Sequence, residues 1–243
     1  MRVLLTRPRA QARSVAETLE GKGIEVILAP VLQMVPRAGP APDLSDVQAI
    51  LVTSANGAAA IGAALGTPLG RRDVPVLAVG DATAAAAAAQ GFSSVTSAGA
   101  ESRALAGLAM ERLDPDAGVL LHASGATVAG ALVPTLEAAG FRVRRAILYD
   151  MAPVPALSGA ARAALAAGEI DGVLLFSPRS AEVFVKLARA AALVGSLESV
   201  AAYCLSKAVA AAAGTIAWRR VVVGDRPESA ALIAAVAGAA RRR

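Results

Sequence analysis

An apolar run that ends abruptly in small hydroxyl-bearing residues occurs twice in this chain. Residues 49–52 (AILV) lead directly into residues 53–57 (TSANG), and residues 172–176 (GVLLF) lead into residues 177–180 (SPRS). Such a junction is typical of a buried strand followed at once by a helix that Ser or Thr caps. Free backbone N–H groups and the positive end of the helix dipole would lie beyond the strand, where they favour an anion.

Composition limits the class of protein. The 243 residues are enough for two small domains, and 56% of them are hydrophobic while only 3% are aromatic. No apolar run approaches the ~20 residues that span a bilayer, and the apolar part of the first residues is too short for a signal peptide. Cys204 is the only cysteine, so no internal disulfide can form. Together these features predict a cytoplasmic protein that does not enter a membrane.

Strands and helices alternate along the chain, which predicts parallel sheets with helices on their faces. The second half also follows the order of the first. Residues 3–5 (VLL) match residues 119–121 (VLL), and Ser54 matches Ser177. We therefore expect an α/β fold of two similar, flavodoxin-like parallel-sheet domains related by internal duplication. The simpler alternative is the general likeness of alanine-rich α/β segments.

Two proline-flanked extended segments, residues 30–36 and 147–155, interrupt the alternation. Proline in such a setting is typical of a linker. Two linkers imply that the chain leaves one domain and later returns to it. We expect domain I to comprise residues 1–34 plus 153–243, and domain II residues 37–147. The linkers would then run side by side as a two-stranded antiparallel connection.

The common motifs for bound cofactors and nucleophiles are absent from the sequence. It has neither a G-x-x-x-x-G-K-[ST] loop nor a G-x-G-x-x-G turn after a strand, and no G-x-S-x-G elbow. One histidine, His122, and one cysteine cannot form a His/Cys metal site. We therefore expect no His/Cys metal site, and nucleotide binding has no support from a motif. His122 lies within a predicted strand, which favours a buried structural role over a catalytic one.

The chemistry that remains lies in polar turns at the predicted ends of strands. In doubly wound sheets these carboxyl ends face the ligand crevice. Helix capping explains each turn taken alone, but their occurrence at corresponding places in both halves favours a shared binding role in a cleft between the domains. The candidate binding residues are Thr6, Arg7, Thr53, Ser54, Asn56, Gly80, Asp81, Thr83, Ser124, Gly125, Ser177, Pro178, Arg179, Ser180, Ser206 and Lys207.

The order and spacing of five segments are similar to those of a known family: residues 51–54, 56–57, 78–84, 140–149 and 176–181. On these segments nearly the whole chain resembles the uroporphyrinogen-III synthase family. It implies a lyase that cyclises the linear tetrapyrrole hydroxymethylbilane to uroporphyrinogen III, with inversion of ring D and loss of water, without a cofactor. Such a substrate carries eight carboxylates, which suits donor-rich turns and a net charge of +5.

Tyr149 matches the family's tyrosine and lies in the second linker. A phenol near the leaving hydroxyl could donate a proton or a hydrogen bond, so Tyr149 is the candidate catalytic residue. Packing of a linker strand is the alternative role for this side chain. Residues 204–207 (CLSK) depart from the family's Gly-Pro-Thr-Thr-like turn. Ser206 preserves a hydroxyl there, whereas Lys207 replaces a second hydroxyl with a cation.

Two other classes of function remain open at this point. A two-domain cytoplasmic protein could bind a small anionic ligand without chemistry, because fold does not dictate function. A nucleic-acid-binding module would rest only on the basic charge and on the arginine tail at residues 241–243. Arginines are not interleaved with aromatic residues, so we expect no nucleic-acid partner. A monomer acting on a small polycarboxylate is the favoured interpretation.

Overall fold

The computed structural model describes residues 1–66, 71–99, 102–128, 130–226 and 228–241. Arg242 and Arg243 of the basic tail lie outside these residues. The strands are β1 (Arg2–Leu5), β2 (Glu25–Leu28), β3 (Leu32–Pro36), β4 (Val47–Val52), β5 (Val76–Ala78), β6 (Val95–Ser97), β7 (Val119–Gly125), β8 (Arg142–Pro153), β9 (Gly172–Leu175), β10 (Ala201–Cys204) and β11 (Arg220–Val223). The helices are α1 (Arg9–Glu20), α2 (Ala55–Ala64), α3 (Asp81–Ala88), α4 (Ser102–Arg112), α5 (Leu132–Ala138), α6 (Gly159–Ala166), α7 (Pro178–Ala190), α8 (Lys207–Ala213) and α9 (Ser229–Ala240), with a 3-10 helix at Gly195–Ser199.

The described residues form two compact units. Unit 1 comprises residues 1–33 and 152–243, and unit 2 comprises residues 34–151. The chain passes from one unit to the other along β3 and again along β8.

Unit 1 is built on a parallel sheet with the strand order β11-β10-β9-β1-β2. Numbered by their order within the unit, the strands read 2-1-3-4-5 from the β2 edge, which is the flavodoxin-like order. Helices α1 and α9 bury their apolar residues on one face of this sheet. Helices α6, α7 and α8 do so on the other face. Strands covered on both faces explain the nearly continuous apolar runs in the sequence.

Unit 2 is built on a sheet with the order β3-β8-β7-β4-β5-β6, in which β8, β7, β4, β5 and β6 are parallel neighbours. Helices α2 and α3 cover one face, and α4 and α5 cover the other. The edge strand β3 runs antiparallel to β8. Arg37 N–H donates to the Leu148 carbonyl at 2.8 Å, and Val154 N–H donates to the Val31 carbonyl at 3.0 Å, so residue numbers rise on one strand as they fall on the other.

The predicted α/β class with parallel sheets is confirmed. The five parallel strands of each unit also follow the same spatial order, with β9, β10 and β11 in unit 1 at the places of β4, β5 and β6 in unit 2. The internal duplication itself stays a prediction. Within the described ranges, no helix has the length and apolar character that crossing a membrane requires.

Candidate functional site

The sequence-predicted turn residues lie at the carboxyl ends of strands. In unit 1 the strands concerned are the neighbours β1, β9 and β10, and in unit 2 they are the neighbours β7, β4 and β5. Because neighbouring parallel strands end at the same edge, each unit gathers its own turns at one edge of its own sheet. These turns include Thr6, Ser177 and Ser206 in unit 1, and Thr53, Gly80 and Ser124 in unit 2.

Each sheet also has a point where the chain connections diverge to opposite sides. In unit 1 this point lies between β1 and β9, since β1 continues to β2 on one side and β9 to β10 on the other. In unit 2 it lies between β7 and β4. A crevice forms outside the strand ends at such a point, and ligands bind there. Most of the candidate residues flank these two points.

Tyr149 lies at the divergence point of unit 2. The residue is 9% exposed, and its hydroxyl lies 3.3 Å from Ser54 Oγ, so that either hydroxyl can donate to the other. Ser54 is the N-cap of α2, and its Oγ accepts the Gly57 N–H at 3.1 Å. Nearby, Asn56 Nδ2 lies 3.9 Å from Met151 Sδ. The phenol therefore lies at the positive end of a ten-residue helix.

A β-bulge directs Tyr149 to this place. Ser124 pairs with Ile147, but the next residue, Gly125, pairs with Tyr149, so Leu148 is the extra residue on β8. Strict alternation would put Tyr149 on the same face as Ile147. The bulge turns it instead towards α2 and Ser54, in the way that bulges re-aim side chains next to active sites.

Two glycines allow this close packing. A Cβ on Gly125 would lie 2.8 Å from Tyr149 Cε2 and 2.9 Å from Cζ, so the ring rests directly against the glycine backbone. A Cβ on Gly57 would lie 2.8 Å from the Ala123 carbonyl oxygen, which shows how near the start of α2 comes to β7. Gly57 and Gly125 therefore permit this packing because they have no Cβ.

Sequence reasoning missed Arg145, which lies on β8 beside Ser124. Its Nη2 donates to the carbonyl oxygens of Gly125 at 3.1 Å and of Ala126 at 3.4 Å. Its Nε and Nη2 also lie within 3.4 and 3.3 Å of the buried Ser124 hydroxyl. The sequence shows a cation four residues before the candidate tyrosine. It does not show how β8 pairs with β7, and this pairing is what places Arg145 at the end of β7.

His122 pairs in register with Arg145 and is fully buried, as its place in a strand predicted. Neither ring nitrogen has a hydrogen-bond partner among the described residues. Burial, together with the positive charge of Arg145, lowers the pKa of His122 to about 4. The imidazole is therefore neutral near pH 7 and does not add to the positive charge at this edge.

Arg7 lies at the divergence point of unit 1, just beyond the end of β1. Its guanidinium carbon lies 4.6 Å from the centre of the Phe176 ring, and its Nη1 donates to Ser229 Oγ at 3.0 Å. Burial lowers the pKa of Arg7 from its usual value. The neighbouring Thr6 hydroxyl is fully buried and donates to the Leu174 carbonyl at 2.6 Å, so it joins β1 to β9. Phe176 and Ser229 were not among the predicted site residues.

Other predicted hydroxyls of unit 1 act as helix caps. Ser177 and Ser180 form a reciprocal capping box at the start of α7, where Pro178 occupies the first turn. Ser206 caps α8 by accepting the Val209 N–H at 3.4 Å. The cations beside these caps, Arg179 and Lys207, are exposed.

The remaining predicted turn of unit 2 begins α3. Gly80 is its N-cap without a side-chain cap, Asp81 is exposed in the first turn, and Thr83 is buried. Thr53, the last predicted residue, is half-buried just before Ser54. Across the ranges the structure describes, no three His, Cys, Asp or Glu residues are grouped as a metal site would need. Cys204 is buried, and burial raises the pKa of its thiol to about 11.

Comparisons with known proteins give a consistent result. The family model described as uroporphyrinogen-III synthase HemD matches residues 13–234. A solved structure of uroporphyrinogen-III synthetase from Helicobacter pylori shares 14% identity over 98% of this chain and 100% of that one, with a TM-score of 0.62. A variant of the uroporphyrinogen III synthase of Thermus thermophilus shares 22% identity over the whole of both chains, with a TM-score of 0.50. At these identities the two structures support the fold alone. The comparison with curated proteins gives no match.

Proposed function

Because this chain belongs to the uroporphyrinogen-III synthase family, a family of enzymes of haem biosynthesis, we propose that it converts hydroxymethylbilane to uroporphyrinogen III. The reaction closes the linear tetrapyrrole, inverts ring D and releases water, which makes the enzyme a lyase of the hydro-lyase type. The observation that carries the proposal is the family match over residues 13–234. A purely ligand-binding protein is not favoured by that match.

Tyr149 is the proposed proton donor to the departing hydroxyl. Its oxygen already lies beside Ser54 Oγ, at 3.3 Å, and a hydroxyl that shares a hydrogen bond with Ser54 can turn towards a substrate oxygen. Negative charge left on the phenol oxygen would lie at the start of α2, where the helix dipole and the Ser54 hydroxyl favour it. Positioning of the flexible substrate would supply the larger part of the rate, since orientation is worth up to about 7–11 kcal/mol.

The strand-end donors of both units are the proposed binding groups for the substrate carboxylates. Arg7 is the strongest of them in unit 1, because a half-buried guanidinium that contacts the neutral Phe176 and Ser229 attracts an anion more than an exposed one does. The exposed Arg179 and Lys207 add positive charge at the starts of α7 and α8. The other proposed donors are Thr6, Thr53, Ser54, Asn56, Gly80, Thr83, Ser124, Gly125, Ser177, Ser180 and Ser206. Two further substrate contacts are proposed at Asp81, which could donate only through its backbone N–H, and at Pro178, which has no N–H and could contribute only packing.

The proposal also covers the domain boundaries, the oligomeric state, the cellular location and the absence of a cofactor. We take residues 1–34 with 153–243 and residues 37–147 as the two functional domains, joined by residues 30–36 and 147–155. The enzyme is proposed to act as a monomer in the cytoplasm, without a cofactor and without a nucleic-acid partner. Size-exclusion chromatography with light scattering tests the monomer, and activity after exhaustive dialysis against a chelator tests the independence from metals.

The isomer of the product tests the proposed reaction. Purified protein is supplied with hydroxymethylbilane, and the uroporphyrinogen isomers are separated after oxidation to porphyrins. The expected result is uroporphyrinogen III in excess over the type I isomer that forms spontaneously. Type I product alone, at the rate of a protein-free control, would contradict the proposal.

Tyr149→Phe tests the proposed proton donor. Because general acid catalysis contributes on the order of 10²–10⁴-fold, we expect kcat to fall by about 10²-fold or more while KM changes by less than about threefold. Tyr203→Phe is the matched control. Tyr203 is a buried tyrosine of unit 1 whose hydroxyl accepts a hydrogen bond from Arg220 at 3.3 Å. Equal kcat values for the two variants would remove Tyr149 from the chemistry.

A further inference from the structure

Arg145 is held at the carboxyl end of β7 by the strand itself. Its Nη2 donates to two successive carbonyl oxygens, those of Gly125 and Ala126, while Ser124 Oγ lies against the Nε–Nη2 edge. Its other terminal nitrogen, Nη1, makes no hydrogen bond to any described residue. The guanidinium is thus oriented by neutral acceptors and keeps one donor group for a ligand.

Three other arginines that hold unit 2 together have a carboxylate partner within the protein. Arg37 pairs with Asp150, Arg144 with Asp46 and Arg71 with Asp73. Within the described part of the chain, no carboxylate lies at ion-pair distance from Arg145. Its in-register neighbour His122 cannot supply negative charge either. Arg145 is therefore an oriented positive charge without a counter-charge.

The surroundings of Arg145 suit a substrate that carries a carboxylate on an apolar ring. Ile147 lies two residues further along β8, on the same face, and is 39% exposed. Gly125, whose carbonyl accepts from Arg145, also supports the ring of Tyr149. Gly125, at the end of β7, therefore contacts both the guanidinium, which lies on the Ile147 face of the sheet, and the ring of Tyr149, which the bulge turns to the α2 face.

We propose that Arg145 binds one carboxylate of the substrate at the end of β7, the strand end against which the ring of Tyr149 also packs. This inference rests on the proposed function. It assigns Arg145 to substrate binding rather than to proton transfer. Charge-assisted hydrogen bonds from an oriented guanidinium are stronger than neutral ones. This contact therefore contributes to the affinity for the substrate and to its position in the site.

The experiment compares Arg145→Gln and Arg145→Lys with Arg142→Gln. Arg142 is the matched control, because it is exposed on the same strand but pairs with Val119 at the opposite end of β7. We expect Arg145→Gln to raise KM for hydroxymethylbilane roughly tenfold, with kcat changed less than about threefold. Arg145→Lys, which keeps the charge but loses the fork of donors, should give an intermediate KM. Arg142→Gln should leave both constants unchanged.

The outcomes separate this inference from the proposed function. If the wild type forms uroporphyrinogen III but Arg145→Gln and Arg142→Gln have the same KM, the role of Arg145 is overturned and the proposed function stands. Failure of the wild type to form the type III isomer overturns the proposed function itself.

The single histidine provides an internal check on the folded variants by NMR. Removal of the charge of Arg145 should raise the pKa of His122 towards its usual value, although burial keeps it depressed. Arg142→Gln should leave that pKa as it is in the wild type. An unchanged His122 pKa in Arg145→Gln would overturn the placement of the guanidinium on which the inference depends.

Discussion

Alanine at position 125 should disable catalysis without removing any functional group. The new Cβ would lie 2.8 Å from Tyr149 Cε2, whereas carbon atoms in contact prefer about 3.5–4.0 Å. The ring must therefore move by at least about 0.7 Å. The contact between the hydroxyls of Tyr149 and Ser54, at 3.3 Å, is already longer than the usual range of about 2.5–3.0 Å between hydroxyl oxygens and should not survive such a shift.

A displacement of about 1 Å in a catalytic constellation can cost on the order of 10²-fold in rate. We therefore expect Gly125→Ala to lower kcat by about 10²-fold and the free energy of unfolding by roughly 1–3 kcal/mol, which is the usual cost of overpacking. The φ angle of Gly125 does not lie in the left-handed region, so alanine adds no backbone strain there. The loss of stability comes from the contact between the new Cβ and the Tyr149 ring alone. Steady-state assays with hydroxymethylbilane and urea denaturation measure the two effects.

Unit 1 contains a matched control for this substitution. A Cβ on Gly172 would lie 2.6 Å from Cε2 of the buried Tyr203, so Gly172→Ala creates the same kind of clash at the amino end of β9, away from the strand ends that carry the site. Both variants should lose stability, but only Gly125→Ala should lose turnover. Equal kcat values at equal loss of stability would refute the reasoning. In the Tyr149→Phe background, Gly125→Ala should have little further effect on kcat, because both changes remove the same contribution.

Two further predictions concern stability. Unfolded His122 binds a proton as the pH falls below about 6.5, whereas folded His122 does so only at about 4, so the free energy of unfolding should fall over this window by about 3 kcal/mol. His122→Leu should lack this part of the acid destabilisation, as measured by denaturant titrations at pH 7 and pH 4. Ser177→Ala should lower the free energy of unfolding by about 1 kcal/mol, because it removes one half of the capping box with Ser180. An unchanged urea midpoint for that variant would contradict the role of the cap.

The sequence predicted the strand-to-helix junctions well, for a local physical reason. Ser54, Ser177 and Ser206 each follow a buried apolar run and accept a hydrogen bond from the third residue beyond them. This arrangement depends only on residues close together in the chain, so a single sequence contains the information. The α/β class follows from the same junctions, because they alternate with strands too short and too apolar to face water.

The surroundings of Tyr149 could not be predicted in the same way. They depend on the register of β8 against β7, where one extra residue changes the face to which Tyr149 points. The guanidinium of Arg145 reaches Ser124 and Gly125 through the same pairing, from about 20 residues away in sequence. Register of this kind is fixed by packing of the whole sheet and leaves no local signal.

The difference between the two units follows from the length of one strand. In unit 1, β1 has 4 residues and ends at Leu5, where the Thr6 hydroxyl joins it to β9. The strand at the corresponding place in unit 2, β7, has 7 residues and continues to Gly125. The added residues pair with the bulge of β8 that directs Tyr149, and the last of them, Gly125, supplies a carbonyl oxygen that orients Arg145. Similar turns therefore begin the helices of both units, but only the longer strand provides a place for a tyrosine beside a helix start.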